Sequence, residues 1–230
     1  MADDKKLSEL TTENTAILTT KLYSVNGSTS GYTTWEKLAE QIALTGLPVT
    51  GFDDLRVPLT ATKGAGVKDP NFGKYKDDGG VSTGVYIYLF DSDAENELFF
   101  SVQFPHSWKE GTNIYPHVHW IPTINGTGSQ KVSWGMEYHW SNIGSIFGNT
   151  AIINSNLSSP DETLIADKHY VTNLPLISGA GKTFSSMMNC RIYRDATGAV
   201  LTDDYTSNAG LLEVDFHYEV EKFGNSTYLY

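Results

Sequence analysis

The sequence predicts a mainly β chain: an antiparallel β-sandwich of jelly-roll type over residues 47–230, preceded by a small module over residues 1–46 with one short helix. Three observations lead there. The chain holds 13 Tyr, 10 Phe and 5 Trp, a composition that favours strands. From Pro48 onward short apolar stretches alternate with turns rich in Gly, Asn and Asp. About eight such stretches occur beside a single helical pattern, and antiparallel strands in that number bury their apolar faces best as two packed sheets.

The amino-terminal module comes first. Leu7, Leu10, Leu22, Tyr23 and Val25 are spread through a polar segment that reaches a turn signal at Asn26-Gly27. The stretch TTWEKLAEQIAL (33–44) has helical spacing at Trp35, Leu38 and Ile42, with Thr33 or Thr34 as cap and Glu36 and Lys37 in the first turn. Gly46 and Pro48 end it. A helix of about 10–12 residues is marginal in water by itself, so this module needs a surface to dock on.

The strands follow in order. GVYIYLF (84–90) is apolar at both alternating sets of positions and reads as a central strand buried on both faces. ELFFSVQF (97–104), IYPHVHWIPTI (114–124), KVSWGMEYHW (131–140), TFSSMMNCRIYR (183–194) and GLLEVDFHYEV (210–220) complete the strong set, with weaker signals at 55–60, 150–153 and 169–177. The turn-rich segment 64–80 reads as a long loop with a functional or interface role. Between Asp91 and Glu97 four acids and Asn96 offer hard oxygen ligands, but the glycine and terminal glutamate of a calcium loop are missing, so a hairpin turn is expected.

Bulk properties exclude several function classes. Cys190 is the one cysteine, which rules out an intrachain disulfide and suits a reducing compartment. The charged start MADDKKLSEL lacks an apolar region behind it, and no run approaches the roughly 18 apolar residues of a spanning helix. A soluble chain without signal peptide or membrane partner is expected. Sixteen Lys and Arg lie scattered among 27 Asp and Glu, for a formal charge of −11, which disfavours nucleic acid and anionic lipid. Proteins and sugars are the expected partners.

The histidines of PHVHW (116–120) raise the question of a metal. Gly111, five residues, then His117-Val118-His119 resembles the opening of a cupin-type metal motif. Strand alternation puts Tyr115, His117, His119 and Ile121 on one face. If Asn125-Gly126-Thr127-Gly128 closes a hairpin that pairs 125 with 131, His119 faces Glu137 and His117 faces His139, a candidate set of imidazole and carboxylate ligands. Against this, Trp120 to Ile124 contain no acid where cupins place a glutamate, and the same alternation recurs where no metal is suspected. In residues 210–220, Glu213, Asp215, His217 and Glu219 share one face. The expectation is therefore polar or subunit-contact histidines, or at most a structural ion or ion-pair cluster, without a catalytic metal or cofactor.

No catalytic motif competes. There is no Gly-x-Ser-x-Gly elbow and no phosphate-cradling glycine motif, Cys190 has nothing marking it as a nucleophile, and Asp53-Asp54 and Asp203-Asp204 read as loop acids. The chain is expected not to be an enzyme. Trp120, Trp134 and Trp140 fall on apolar faces, whereas Trp108, in the loop after His106, is the tryptophan expected to be exposed and able to stack on a sugar.

Two regions resemble virion structural proteins of tailed bacteriophages, of head-fibre, decoration or short tail-fibre type. In the first, Lys6, Leu7, Ser8, Glu9, Leu10, Thr11, Leu22, Tyr23, Val25, Trp35, Leu38 and Ile42 match the short attachment module at the start of phage fibre proteins. In the second, Pro105, His106, Trp108 and Gly111, then Pro116, His117, His119 and Trp120, then Phe216, His217, Tyr218 and Glu219 match a pattern of phage structural proteins. The resemblance implies a non-enzymatic virion component, made in the host cytoplasm. It would self-assemble as a homotrimer and dock on a capsid or tail protein through Leu7, Leu10, Leu22, Tyr23, Val25, Trp35, Leu38 and Ile42. The alternative is a module that binds host surface glycan; a cupin-like metalloenzyme ranks third.

Overall fold

The computed structural model describes residues 21–26, 29–34, 51–155, 162–200 and 202–221. The chain divides into two compact units, residues 1–49 and 50–230. In the first, β1 (Lys21–Asn26) pairs antiparallel with β2 (Thr29–Thr34), and Asn26 stands opposite Thr29. Leu22, Tyr23 and Val25 fall on β1. Thr33 and Thr34, expected to cap a helix, are the last residues of β2, paired with Leu22 and Lys21. The rest of the expected helix, with Trp35, Leu38 and Ile42, lies outside the described residues, as do Leu7 and Leu10.

The second unit is built from β3 (Gly51–Pro58), β4 (Asn71–Lys76), β5 (Val85–Phe90), β6 (Glu97–Gln103), β7 (Ile114–Pro122), β8 (Trp134–Ser141), β9 (Ala151–Asn154), β10 (Tyr170–Asn173), β11 (Met187–Arg194) and β12 (Ala209–Val220). One sheet has the order β10-β7-β12-β5-β4, with β3 on the far half of β12; the other has the order β6-β11-β8-β9. All pairings are antiparallel. The pairs β5/β12, β6/β11, β7/β10 and β8/β9 are nested, so the eight strands form one long hairpin wound into two sheets. That is the jelly roll expected from the sequence. Among the described residues no helix is long and apolar enough to cross a membrane.

Two local expectations change. β4 lies inside the segment read as a loop, because NFGKYK is an edge strand whose lysines and exposed Phe72 leave no buried stripe to read. β5 is buried on both faces only in part: Ile87 and Phe90, which alternate onto opposite faces, are buried, while Val85 and Tyr86 are exposed. On the face that Phe90 turns to the core, Tyr88 and Tyr86 join an aromatic cluster at the sheet edge, with Phe72 at 4.9 and 5.7 Å between ring centroids. The Asp91–Glu97 turn forms as expected, closed by the Asn96 side chain accepting from the Asp91 N–H at 2.6 Å. Its Glu95 and Glu97 reach Arg191 at 3.2 and 2.7 Å.

Between the sheets lie Phe90, Phe100, Phe104, Trp120, Trp134 and Phe216, all essentially buried. Alternation sorts β7 as expected, with Ile114, Pro116, Val118 and Trp120 inside and Tyr115, His117 and His119 outside. A buried ion pair is enclosed beside these side chains. Arg194, at the end of β11, is fully buried, and Asp203 takes its Nε and Nη2 at 2.9 and 2.7 Å. Its remaining N–H groups donate to the carbonyls of Phe90, Tyr205 and Ser207 at 3.2, 2.6 and 2.7 Å, so every donor of the guanidinium is used. Asp203 is thus a buried ion-pair partner instead of a loop acid.

Candidate functional site

The four candidate ligands His117, His119, Glu137 and His139 are not brought together. β7 and β8 belong to different sheets, and the segment between them crosses the sandwich. Its Gly126 N–H donates to the Leu164 carbonyl and its Lys131 N–H to Asp204, so no 125–131 hairpin closes. The physical reason is the size of the two apolar faces. Val118 with Trp120 and Trp134 with Met136 must all reach one core, and two strands carrying such faces bury them best by confronting each other from opposite sheets. Glu137 instead accepts from Thr150 at 2.7 Å and from Arg191 Nε at 3.0 Å. Those contacts, Thr150 foremost, hold its carboxyl below the ordinary value against the opposing effect of burial. His139 Nε2 meets Asn189 at 3.0 Å.

The partner that β7 does have is β12, some hundred residues later in the chain. Their register sets His119 opposite Glu213, His117 opposite Asp215 and Tyr115 opposite His217. On the other side of β12, β3 sets Arg56 opposite Asp215 and Asp54 opposite His217. Period-two alternation turns all of these side chains to the outer face of the larger sheet, where a sequence reading already placed the histidines. The turn signals after His119 suggested residues 131–140 as the facing strand instead, because register between distant strands leaves no local signal.

Asp215 is the centre of this face and is only 5% exposed. Its Oδ1 lies 3.5 Å from His117 Nδ1 and 3.4 Å from His119 Nε2, and its Oδ2 lies 3.5 Å from His217 Nε2. Those separations sit at the outer limit of hydrogen bonding, and Oδ1 keeps no hydrogen-bond partner. Burial opposes the charge on Asp215, but the three surrounding imidazoles outweigh it and draw the carboxyl below its ordinary range. The His117 and His217 rings meet edge to face at 4.1 Å. His217 Nε2 also reaches Asp54 Oδ1 at 2.8 Å, and His119 Nδ1 reaches His169 Nε2 at 2.9 Å. Arg56 grips Glu213 through two bonds of 2.6 and 2.5 Å. At the rim, the exposed rings of Phe52 and Tyr115 meet edge-on at 5.9 Å.

The structure corrects the reading of Trp108. It is 0% exposed, packed on Phe104 and Trp140 at 5.1 and 5.5 Å between centroids, with its Nε1 donating to Thr112 at 3.0 Å. The loop that carries it folds back on the end of β12: Trp108 bridges to Val220, and the Lys109 N–H donates to the Glu219 carbonyl. A sugar cannot stack on a ring enclosed in this way. Cys190 is also buried, and burial pushes its thiol far above the ordinary value, which removes the thiolate a nucleophile needs.

Among the described residues the surface carries shallow depressions on both sheets. One of about 320 Å³ is lined by Lys74, Tyr75, Lys76, Thr123 and Asp167. Another of about 210 Å³ is lined by Phe99, Glu137, His139 and Arg191 on the opposite sheet. Neither includes the Asp215 cluster, which stands on an open sheet face.

No protein-family model matches the chain, and no curated protein matches it. Among solved structures it is similar to TmCBM61, in complex with β-1,4-galactotriose, at 11% identity and a TM-score of 0.29, over 79% of this chain and 94% of that one. It is also similar to the CBM22-2 xylan-binding domain from Paenibacillus barcinonensis Xyn10C, at 10% identity and a TM-score of 0.27, over 66% of this chain and 95% of that one.

Proposed function

We propose that the chain is a non-enzymatic structural component of a tailed-bacteriophage virion. In this reading residues 1–46 dock on a capsid or tail protein, the chain self-assembles as a homotrimer, and the jelly roll is displayed. One observation carries the reading. The three separate stretches that resemble phage structural proteins, 105–111, 116–120 and 216–219, form one continuous unit in space. β7 lies beside β12, His117 meets His217, and the Trp108 loop is pinned to the end of β12 by the Ser107–Tyr218 contact at 3.2 Å and the Lys109–Glu219 ion pair at 2.6 Å. A pattern scattered along the sequence that assembles into a single structural unit has a physical reason to occur together.

The test is a chain lacking residues 1–46, mixed with particles that lack the protein. The truncated chain is expected to keep the near-ultraviolet circular dichroism of the sandwich and to be absent from particles after sedimentation. Incorporation at the level of the full chain sinks the docking role.

A second reading, binding of host surface glycan, is favoured by the rim of the outer face. Phe52 and Tyr115 expose aromatic rings, 64% and 37% of their surface, beside the hydrogen-bonding groups of Asp54, His217 and Glu219. Pyranose rings stack on such surfaces through their C–H faces, while planar polar side chains take the hydroxyls. Tyr115→Ala is expected to weaken binding of a glycan-array hit about tenfold, about 1.4 kcal/mol, with unchanged melting temperature. A hit that binds Tyr115→Ala as well as the native chain removes this face as the sugar site.

A further inference from the structure

We propose that His117, Asp215 and His217 form a binding site for one divalent transition-metal ion, zinc by preference, on the outer face of the larger sheet. It does not rest on the virion or glycan readings, although His217 and Asp54 also border the aromatic rim of the outer face. It also differs from the ligand set the sequence suggested, since Glu137 and His139 lie on the opposite sheet.

Two observations support it. The three residues each offer a ligand atom, and these atoms all lie within 4.8 Å of one another. Zinc bonds of about 2.0–2.2 Å to nitrogen and oxygen place neighbouring tetrahedral ligands about 3.3 Å apart. The Asp215 oxygens stand 3.5 Å from His117 Nδ1 and 3.5 Å from His217 Nε2, close to that edge length. Small side-chain rotations draw the two imidazoles together around an ion. Independently, Asp215 Oδ1 is a buried carboxylate oxygen, on a residue only 5% exposed, with no hydrogen-bond partner. Leaving such an atom unsatisfied is costly, and a cation among neutral imidazoles would satisfy it directly.

The surroundings suit a cation. Asp54, 2.8 Å from His217 Nε2 on the solvent side, can turn to the ion as a fourth ligand when zinc replaces the proton between them. Two carboxylates and two neutral imidazoles balance the charge of a divalent ion and match the nitrogen and oxygen preference of zinc. His119 is held against His169 at 2.9 Å and remains beside the trio. The ion would tie β7 to β12, and through Asp54 to β3, at the point where their polar faces meet.

The experiment uses the full chain without an affinity tag, stripped with a chelator and equilibrated with zinc chloride. After gel filtration the expected retention is about one zinc per chain. At a hundredfold excess of zinc over its Kd, the melting temperature is expected to rise by about 5–10 °C. Cobalt in place of zinc should show the intense visible bands of a four-coordinate ion. His217→Gln, on a partly exposed side chain, and Asp215→Asn, of the same shape, should each abolish retention and the cobalt bands. His139→Gln should leave both unchanged. Failure of the native chain to retain zinc overturns the proposal. So does equal retention by His217→Gln, or equal loss in His139→Gln.

Discussion

Replacing Asp203 by Ala is expected to lower the unfolding free energy by about 3–5 kcal/mol, the largest effect of any single polar substitution considered for this chain. The change leaves the Arg194 guanidinium, fully buried, without its counter-ion and with two of its N–H groups unpaired. Asp203 does more than neutralise a charge. Its Oδ2 also accepts from the Ser133 N–H at 3.0 Å, so the same carboxylate ties the end of β11 to the chain entering β8. The carbonyls of Tyr205 and Ser207 on Arg194 Nη2 and Nη1 then hold the segment leading into β12. Urea denaturation of Asp203→Ala and of the native chain measures the difference. The double variant Arg194→Met with Asp203→Leu supplies the internal control, because replacing a whole buried pair with apolar side chains is commonly neutral or better. Recovery of most of the lost stability in the double variant shows that the loss came from the stranded charge. A loss below about 1 kcal/mol in Asp203→Ala, the range of a surface ion pair, is inconsistent with this network.

Trp108→Ala is expected to cost about 3–5 kcal/mol as well, by a different route. The indole fills the end of the core between Phe104 and Trp140, and its removal opens a cavity that the jelly roll cannot collapse, since backbone bonds fix the loop on both sides. The predicted fall in melting temperature is on the order of 10 °C. Thermal unfolding followed by tryptophan fluorescence reads it. This result bears on function: a loss of glycan binding in Trp108→Ala would report unfolding, whereas Tyr115→Ala tests a ring that sugar can reach. A variant with native melting temperature contradicts the buried position of Trp108.

The histidines show where sequence reasoning succeeded and where it had to fail. The alternation in IYPHVHWIP correctly turned His117 and His119 away from the core, because a strand packed on one face shows period two in its own residues. The same rule, applied to GLLEVDFHYEV, correctly grouped Asp215 with His217. Both halves of the candidate metal site were therefore visible as outward-facing polar rows. Their meeting was not, since it depends on β12 sliding between β3 and β7 with Asp215 beside His117, and one residue of slip would exchange the faces. The nearby Asn125–Gly128 turn signals suggested the wrong neighbour, β8. Trp108 failed for a related reason. It belongs to a loop without period, so nothing local shows that the loop folds inward against Val220.

Composition, turn spacing and two-residue periodicity were enough to specify a mainly β sandwich of the jelly-roll class, the apolar faces of its principal strands and the outward polar rows. These are short-range properties, written in neighbouring residues by the geometry of a half-buried strand. The tertiary structure alone decided which polar rows meet, that Arg194 and Asp203 are sealed together inside, and that Trp108 is core. Each of those depends on contacts between segments far apart in the chain, where packing and pairing energies summed over the whole fold, and not any local pattern, choose the partner.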